Sequence, residues 1–443
     1  MDARLSRSTT AWKWLRCHPY TAGSALLLLG LFFPFLFRSD AEWEEVYIRA
    51  ADYLRAGQNP YDSQGGYLYP PFMAWAAIPF SYLPFLAGRA AWWLVNVLGL
   101  IVVVRGAWRL AGGGRLEEKS GSPRAEHLAA WAGGACGFVY LQNCLAHRQT
   151  DVVAAGLLIG GCLALRRARA FWAATWFGLA AAMKCTPLLW APYLAWRGRP
   201  IAAAWLVVVA LAVNALPDLT HPATSGRPWL LEFHTRYLRP LTERDYIPGT
   251  WGSDIVYNQS LAGAANRWVL TRLVWGPDEG TLEARSASLS PAALRGLVLG
   301  VELLLVGAVL FACGRPFRHV EEGPDGASRA PLEYSVVFML MLLLSPMSSK
   351  AHFGVLLLPG FLVARAVFHQ GGRWAGLFFT GALLMTGLAI KDPLGQRLYT
   401  LCLWYGTVTW HTLFLLAGCL ILLAQKPAAS QTAALEDNQA RAA

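Results

Sequence analysis

Charge is scarce in this sequence. Asp, Glu, Lys and Arg supply only 15% of 443 residues while hydrophobic residues supply 55%. That much apolar surface has no water-free place in an ordinary soluble domain, so the chain reads as a polytopic membrane protein. Acids are scarcer than bases, and the formal net charge is +11. Lys and Arg are scattered between apolar runs rather than massed on one helix or strand, a distribution that argues for topology and against nucleic acid as a partner.

The eight cysteines, at 17, 136, 144, 162, 185, 313, 402 and 419, contain no CxxC and no metal spacing. Most lie inside apolar runs and read as small fillers. Cys144 and Cys185, near the outer ends of their spans, are the two that an oxidising compartment could join. A cleavable signal is also lacking: the basic segment Met1 to Pro19 leads into an apolar run that reaches Arg38-Ser39-Asp40 without a small-residue cleavage site, so a retained signal anchor is expected. The two halves do not echo each other, which weighs against a repeat-built transporter or flippase of lipid-linked glycans.

What is present is a series of apolar segments, about twelve by hydropathy and charge bias. Tyr20 to Phe37 is expected to run outward from a cytoplasmic N-terminus, and Leu401 to Ala424 to return to the cytoplasm at Lys426. Phe72 to Pro84, short and interrupted by Pro79 and Pro84, reads as a re-entrant dip. The fold class expected is all-α: one membrane domain over 1–424, with a first external loop at 38–72, a long external loop at 217–294 and a disordered cytoplasmic tail at 425–443. The expected location is the inner membrane, with both termini cytoplasmic.

The first loop is the most unusual stretch. Trp43, Val46, Tyr47, Ala50, Ala51 and Leu54 recur at helical spacing, predicting an amphipathic helix on the membrane surface. Ser39 and Glu42 fit a capping box, and Gly57 with Pro60 fits a stop. Asn59-Pro60-Tyr61-Asp62 is a turn, and Tyr67-Leu68-Tyr69-Pro70-Pro71 an aromatic re-entry. On this topology the outer face also collects His147-Arg148-Gln149-Thr150-Asp151, Lys184, Asn258-Gln259-Ser260 and the run from Ser345 to His352.

Ionisable residues near membrane depth are costly and by default mark function. Such a set can serve transfer onto an alcohol. Asp40 could take the proton of a sugar hydroxyl, and Arg148, Lys184 and His352 could hold a phosphate as it departs. Tyr61, Tyr67 and Tyr69, with Trp43, offer flat faces and hydroxyls to a sugar or headgroup, and Gln149 and Asn258 offer amides. Plainer roles compete: Lys184 and Lys350 could snorkel, His147 and His352 could be interfacial, and Asp151 is best read as a cap for the span beginning at Val152.

These residues resemble glycosyltransferase family 87. AADYLRAGQNPYD, YLYPPF, Arg148-Gln149, MKCTPLL, YNQSL and SPMSSKAHF follow in that family's order, over roughly Asp40 to Leu358. The resemblance implies a GT-C fold, an external active site and a first-loop Asp as base. It also implies inverting transfer of a hexose, mannose in the best known members, from a polyprenyl-phosphate donor to a lipid or glycan acceptor. No cofactor is implied as necessary, although a divalent metal is compatible. The pattern departs here in several places. The family Asp sits a few residues closer to Ala50-Ala51, making Glu44 and Glu45 reserve candidates. A Gly is usual at Arg148, an Asn at Asp151, and a Trp with an acid where Ser349 and Lys350 stand. An inactive GT-C scaffold is the further alternative.

Overall fold

Apolar chain in hydrocarbon must satisfy its backbone polar groups internally, and in the computed structural model the apolar segments are accordingly helices. Residues 19–39, 41–114, 123–251, 256–275, 281–285, 289–317 and 329–425 are described; Asp40, the N-terminal residues 1–18 and the tail 426–443 lie outside them. α1 (Pro19–Phe37) leads to a π-helical turn (Trp43–Ile48) continuous with α2 (Arg49–Arg55), then α3 (Pro71–Ser81) and α4 (Phe85–Leu110). There follow α5 (Pro123–Ala146), α6 (Asp151–Arg166), α7 (Ala170–Met183), α8 (Trp190–Trp196) and α9 (Pro200–Thr220).

Past the short α10 (Trp229–Phe233) and α11 (Leu261–Leu270), the chain pairs β1 (Thr271–Trp275) antiparallel with β2 (Thr281–Arg285), Thr271 opposite Arg285. Helices α12 (Pro291–Cys313), α13 (Arg329–Leu343), α14 (Leu357–Gln370), α15 (Arg373–Leu388), α16 (Lys391–Trp404) and α17 (Thr407–Ala424) complete the bundle.

Among the described residues five helices are long and apolar enough to cross a membrane, or six if α15 and α16, bent by 95°, form one span. The sequence count of about twelve therefore includes helices too short for lipid exposure. One of them, α13, is sheltered: from Glu333 to Leu343 every residue is buried. At 11 residues, α3 is about 16 Å long and cannot cross. The last apolar run is not one span, because Gly406 takes φ 74 between α16 and α17.

The helix from Trp43 forms, but its apolar face meets protein and not the bilayer surface. Trp43, Tyr47, Ala50, Ala51 and Leu54 are all buried, with the Trp43 ring stacked on Trp92 at 3.8 Å and meeting Phe80 edge-on. The hairpin was not foreseen, although the β-branched and aromatic TRLVW suits a strand. The cysteines among the described residues are free, Cys144 and Cys185 included.

Polar pins cross the core. Arg197, after α8, holds Glu333 of α13 at 2.6 Å, and Tyr193 donates to the same carboxylate. One close backbone approach between helices is α5 on α14. A Cβ at Gly133 would come within 2.8 Å of the Gly360 carbonyl and the Phe361 Cα, and one at Gly137 within 2.8 Å of Leu357 backbone. Small residues of this kind let membrane helices touch. Gly133→Val is expected to cost about 1–3 kcal/mol by overpacking, read as a lower unfolding midpoint in detergent. Gly307→Ala on α12, whose added Cβ would have nothing within 4 Å, should leave the midpoint unchanged.

Candidate active site

The first loop is pinned where α5 turns into α6. Arg148 occupies that turn in the left-handed region, φ 52, which is uncommon for a residue with a Cβ. Its guanidinium is fully buried. Nε donates to the Phe35 carbonyl at 2.7 Å, Nη2 to the Arg38 carbonyl, and Nη1 to Glu44 Oε2 at 2.5 Å. Arg89 Nε takes the other oxygen of Glu44 at 2.7 Å. Every arm of Arg148 is thus engaged, so it is not free for the phosphate expected of it. Glu44 is equally committed, and Glu45 is exposed.

The backbone N–H of Glu42 donates to the His147 carbonyl at 3.1 Å, and its carboxylate accepts from Gln149 Nε2 instead of folding back to Ser39 as a capping box would have it. Burial pushes the Glu42 pKa up, against the lowering influence of the Gln149 bond and of Lys184. Glu42 lies just ahead of the π-helical turn Trp43–Ile48, and the capping-box pattern with Ser39 does not point it at Gln149.

Beyond Gln149, Asp151 Oδ1 binds Lys184 Nζ at 2.6 Å, and His352 Nε2 lies 3.8 Å from the same oxygen. The other oxygen, Oδ2, is buried without a hydrogen-bond partner. Asp151 is therefore the centre of a charged cluster rather than only the cap expected of it. Lys184 Nζ also sits 5.0 Å from the centre of the Tyr69 ring, and that ring stacks on Tyr47, whose hydroxyl is 3.2 Å from Thr150 Oγ1. Asp151, Lys184 and His352 line a cavity of about 20 Å³ with Thr186, Ser348 and Met341. That is room for a water and too little for a sugar ring.

Other expected contacts serve the loops. Tyr67 donates to the Pro70 carbonyl and accepts from the Ala74 N–H at the start of α3. Tyr61 donates to the Tyr69 carbonyl. Asn258 is spent on the backbone: its amide N–H groups go to the Gly249 and Pro346 carbonyls, and its oxygen accepts from Ser260 and Ser348. Of the anticipated residues, Lys184, His352, Gln149 and Tyr69 meet in one place. Tyr61, Tyr67, Asn258 and Arg148 hold the frame, and Asp40 lies outside the described residues.

The sequence profile of glycosyltransferase family 87 matches residues 67–346. This chain belongs to that family. As a family 87 protein it is of the GT-C type, which fits its helical membrane bundle. A polyprenol-phosphate-mannose-dependent alpha-(1-2)-phosphatidylinositol pentamannoside mannosyltransferase of Mycobacterium tuberculosis is 31% identical over 162 residues. The match covers 36% of this chain and only about a third, 35%, of that relative. Crystal structures of ArnT from Cupriavidus metallidurans, with undecaprenyl phosphate and apo, share 13% identity. They give TM-scores of 0.40 and 0.38 over 91% and 90% of this chain and 78% of theirs.

In this family 87 chain Arg148 stands where the pattern usually has glycine, and the left-handed backbone there shows what a glycine would suit. Removing the guanidinium leaves Glu44 with Arg89 alone and strips the Phe35 and Arg38 carbonyls of their donor. Arg148→Ala is expected to cost about 3 kcal/mol, the low end for breaking a buried pair because Glu44 keeps some solvent. Thermal unfolding in detergent, run beside Glu44→Gln and the double variant, reads the coupling between the two.

Proposed function

We propose that this chain is a membrane hexosyltransferase. It takes a hexose, with mannose the first choice from the relative's name, off a polyprenyl-phosphate donor and places it, with inversion, on a hydroxyl of a lipid or glycan acceptor. The reaction is assigned to the extracytoplasmic face of the inner membrane. The observation that supports this best is the set Asp151, Lys184 and His352, with Gln149, two residues before Asp151, bonded to Glu42, in a chain of family 87.

In this reading a first-loop carboxylate removes the acceptor proton as the hydroxyl oxygen attacks the anomeric carbon. The bond from that carbon to the phosphate oxygen breaks on the opposite side, and polyprenyl phosphate leaves with the electron pair. The resemblance points to Asp40 as the base. Among the described residues Glu42 is the first-loop acid turned toward the cluster, and we assign the role to it. Lys184 gives one donor to Asp151 and keeps others for the sugar or its phosphate. Asp151 Oδ2 is free to accept from a sugar hydroxyl, and the stacked Tyr47 and Tyr69 wall suits a sugar face.

The test is transfer by purified full-length protein in detergent, using labelled polyprenyl-phosphate mannose and a mixed lipid acceptor pool. Glu42→Gln is expected to lower transfer 10²–10⁴-fold with donor binding kept, while Asp40→Asn retains most of it. Loss in Asp40→Asn with Glu42→Gln active would return the role to Asp40. A wild type that binds donor and transfers nothing from any hexose donor would sink the enzyme reading.

The pH dependence carries a sign of its own. Because burial raises the Glu42 pKa, the base is protonated below that value, so kcat/KM should rise with pH through a limb above the ordinary carboxylate range. The same shift means that ionised Glu42 costs folding stability, a cost absent at low pH and growing as pH passes the unfolded and then the folded value. Glu42→Gln should therefore unfold no earlier than wild type at neutral pH. A marked drop in its midpoint would make Glu42 a structural residue.

A further inference from the structure

Of the cations first expected to hold phosphate, Arg148 is committed to Glu44 and two carbonyls, and Lys184 spends one donor on Asp151. Another set gathers around residue 147. Glu42 N–H bound to the His147 carbonyl, and Arg148 Nη2 bound to the Arg38 carbonyl, hold the end of α1 against residue 147. Cys144 Sγ, donating to the Ala351 carbonyl at 3.1 Å, holds residue 350 against the same end of α5. Arg38, His147 and Lys350 are thus drawn to one spot from three separate elements. Lys350 continues directly into His352, which faces Asp151.

We propose that Arg38, His147 and Lys350 form a binding site for a phosphoryl group of a lipid substrate. The assignment rests on the transferase reading for the identity of the lipid, and on geometry for the site. The Arg38 side chain is exposed and has no acid partner among the described residues. Lys350 Nζ donates to the Ala389 carbonyl at 2.6 Å and lies 5.2 Å from the Tyr399 ring centre, which leaves two of its three donors. The acid that faces it is Asp392, and the His147 ring has no hydrogen-bond partner among the described residues. Burial, Arg38 and Lys350 together make His147 harder to protonate. Burial is the largest cause and the two neighbouring cations add to it; an arriving phosphate would relieve the part that is due to charge.

The phosphate could belong to the polyprenyl donor or to the headgroup of the acceptor, and both sources present the same oxygens to the same cations. Two binding titrations on the purified full chain tell them apart without needing transfer. One uses sugar-free polyprenyl phosphate and the other a short-chain phosphatidylinositol, each against wild type and the Arg38→Gln, Lys350→Gln double variant.

Loss of two charge-assisted contacts should weaken the cognate lipid at least tenfold. Weakening confined to polyprenyl phosphate assigns the site to the donor, and weakening confined to phosphatidylinositol assigns it to the acceptor. Unchanged binding of both overturns the proposal. Arg38→Lys with Lys350→Arg keeps the charge and should bind within about twofold of wild type; if it fails as badly as the neutral variant, the residues act through packing and the site is refuted. Because the readout is binding, wild-type protein that transfers no sugar would sink the enzyme reading while leaving this test intact.

Discussion

The fold of the site depends on how one buried guanidinium is satisfied. Arg148 gathers the carbonyls of Phe35 and Arg38 and the carboxylate of Glu44, so the end of α1 and the π-turn are fastened to the junction of α5 and α6. A buried charge left unpaired costs far more than a good pair returns. The first loop can therefore take only the path that brings those oxygens together. Glu42 next to Gln149, and Trp43 flat on Trp92, are consequences of that path.

The second half of the frame is uncharged. Asn258 and Gln259 bind the break between α13 and α14 through backbone groups, with the Gln259 N–H on the Ser348 carbonyl at 2.7 Å and the Ser348 N–H on Asn258. The opened segment from Ser345 to Ser349 would otherwise present bare N–H and C=O groups to a nonpolar interior. Satisfying them from the long loop fixes where His352 points. Two strategies, one ionic and one amide-based, therefore set the two sides of the same cavity.

Hydropathy made the helices legible, because length and apolarity are what the bilayer and the backbone demand. The long loop's hairpin and the break at Gly406 were less so, since short β-branched runs and single glycines carry weak signals beside strong apolar ones. Lys184 and His352, singled out in the sequence, both reach Asp151, two residues from Gln149. Glu42, read as part of a capping box, instead accepts from Gln149, and Asp151, read as a cap, pairs with Lys184; an acid ahead of a helix is most often a cap, which is all that sequence shows. Arg148 and Asn258 were overvalued for a related reason. Sequence shows a polar side chain but not the carbonyls that will consume it.

The small volume beside Asp151 has a steric meaning. Space for one water holds no sugar ring, so any larger ligand there would have to displace side chains or loops. Away from that cavity, Arg236 on the Tyr61 carbonyl and Asp62, Tyr237 on the Tyr67 carbonyl, and Thr224 on the Gly57 carbonyl tie the long loop to the first. These are solvent-edged bonds of modest net strength, while the helices beneath are held by buried ion pairs. Strong and weak ties are thus separated by depth, and local opening is cheapest at the loops.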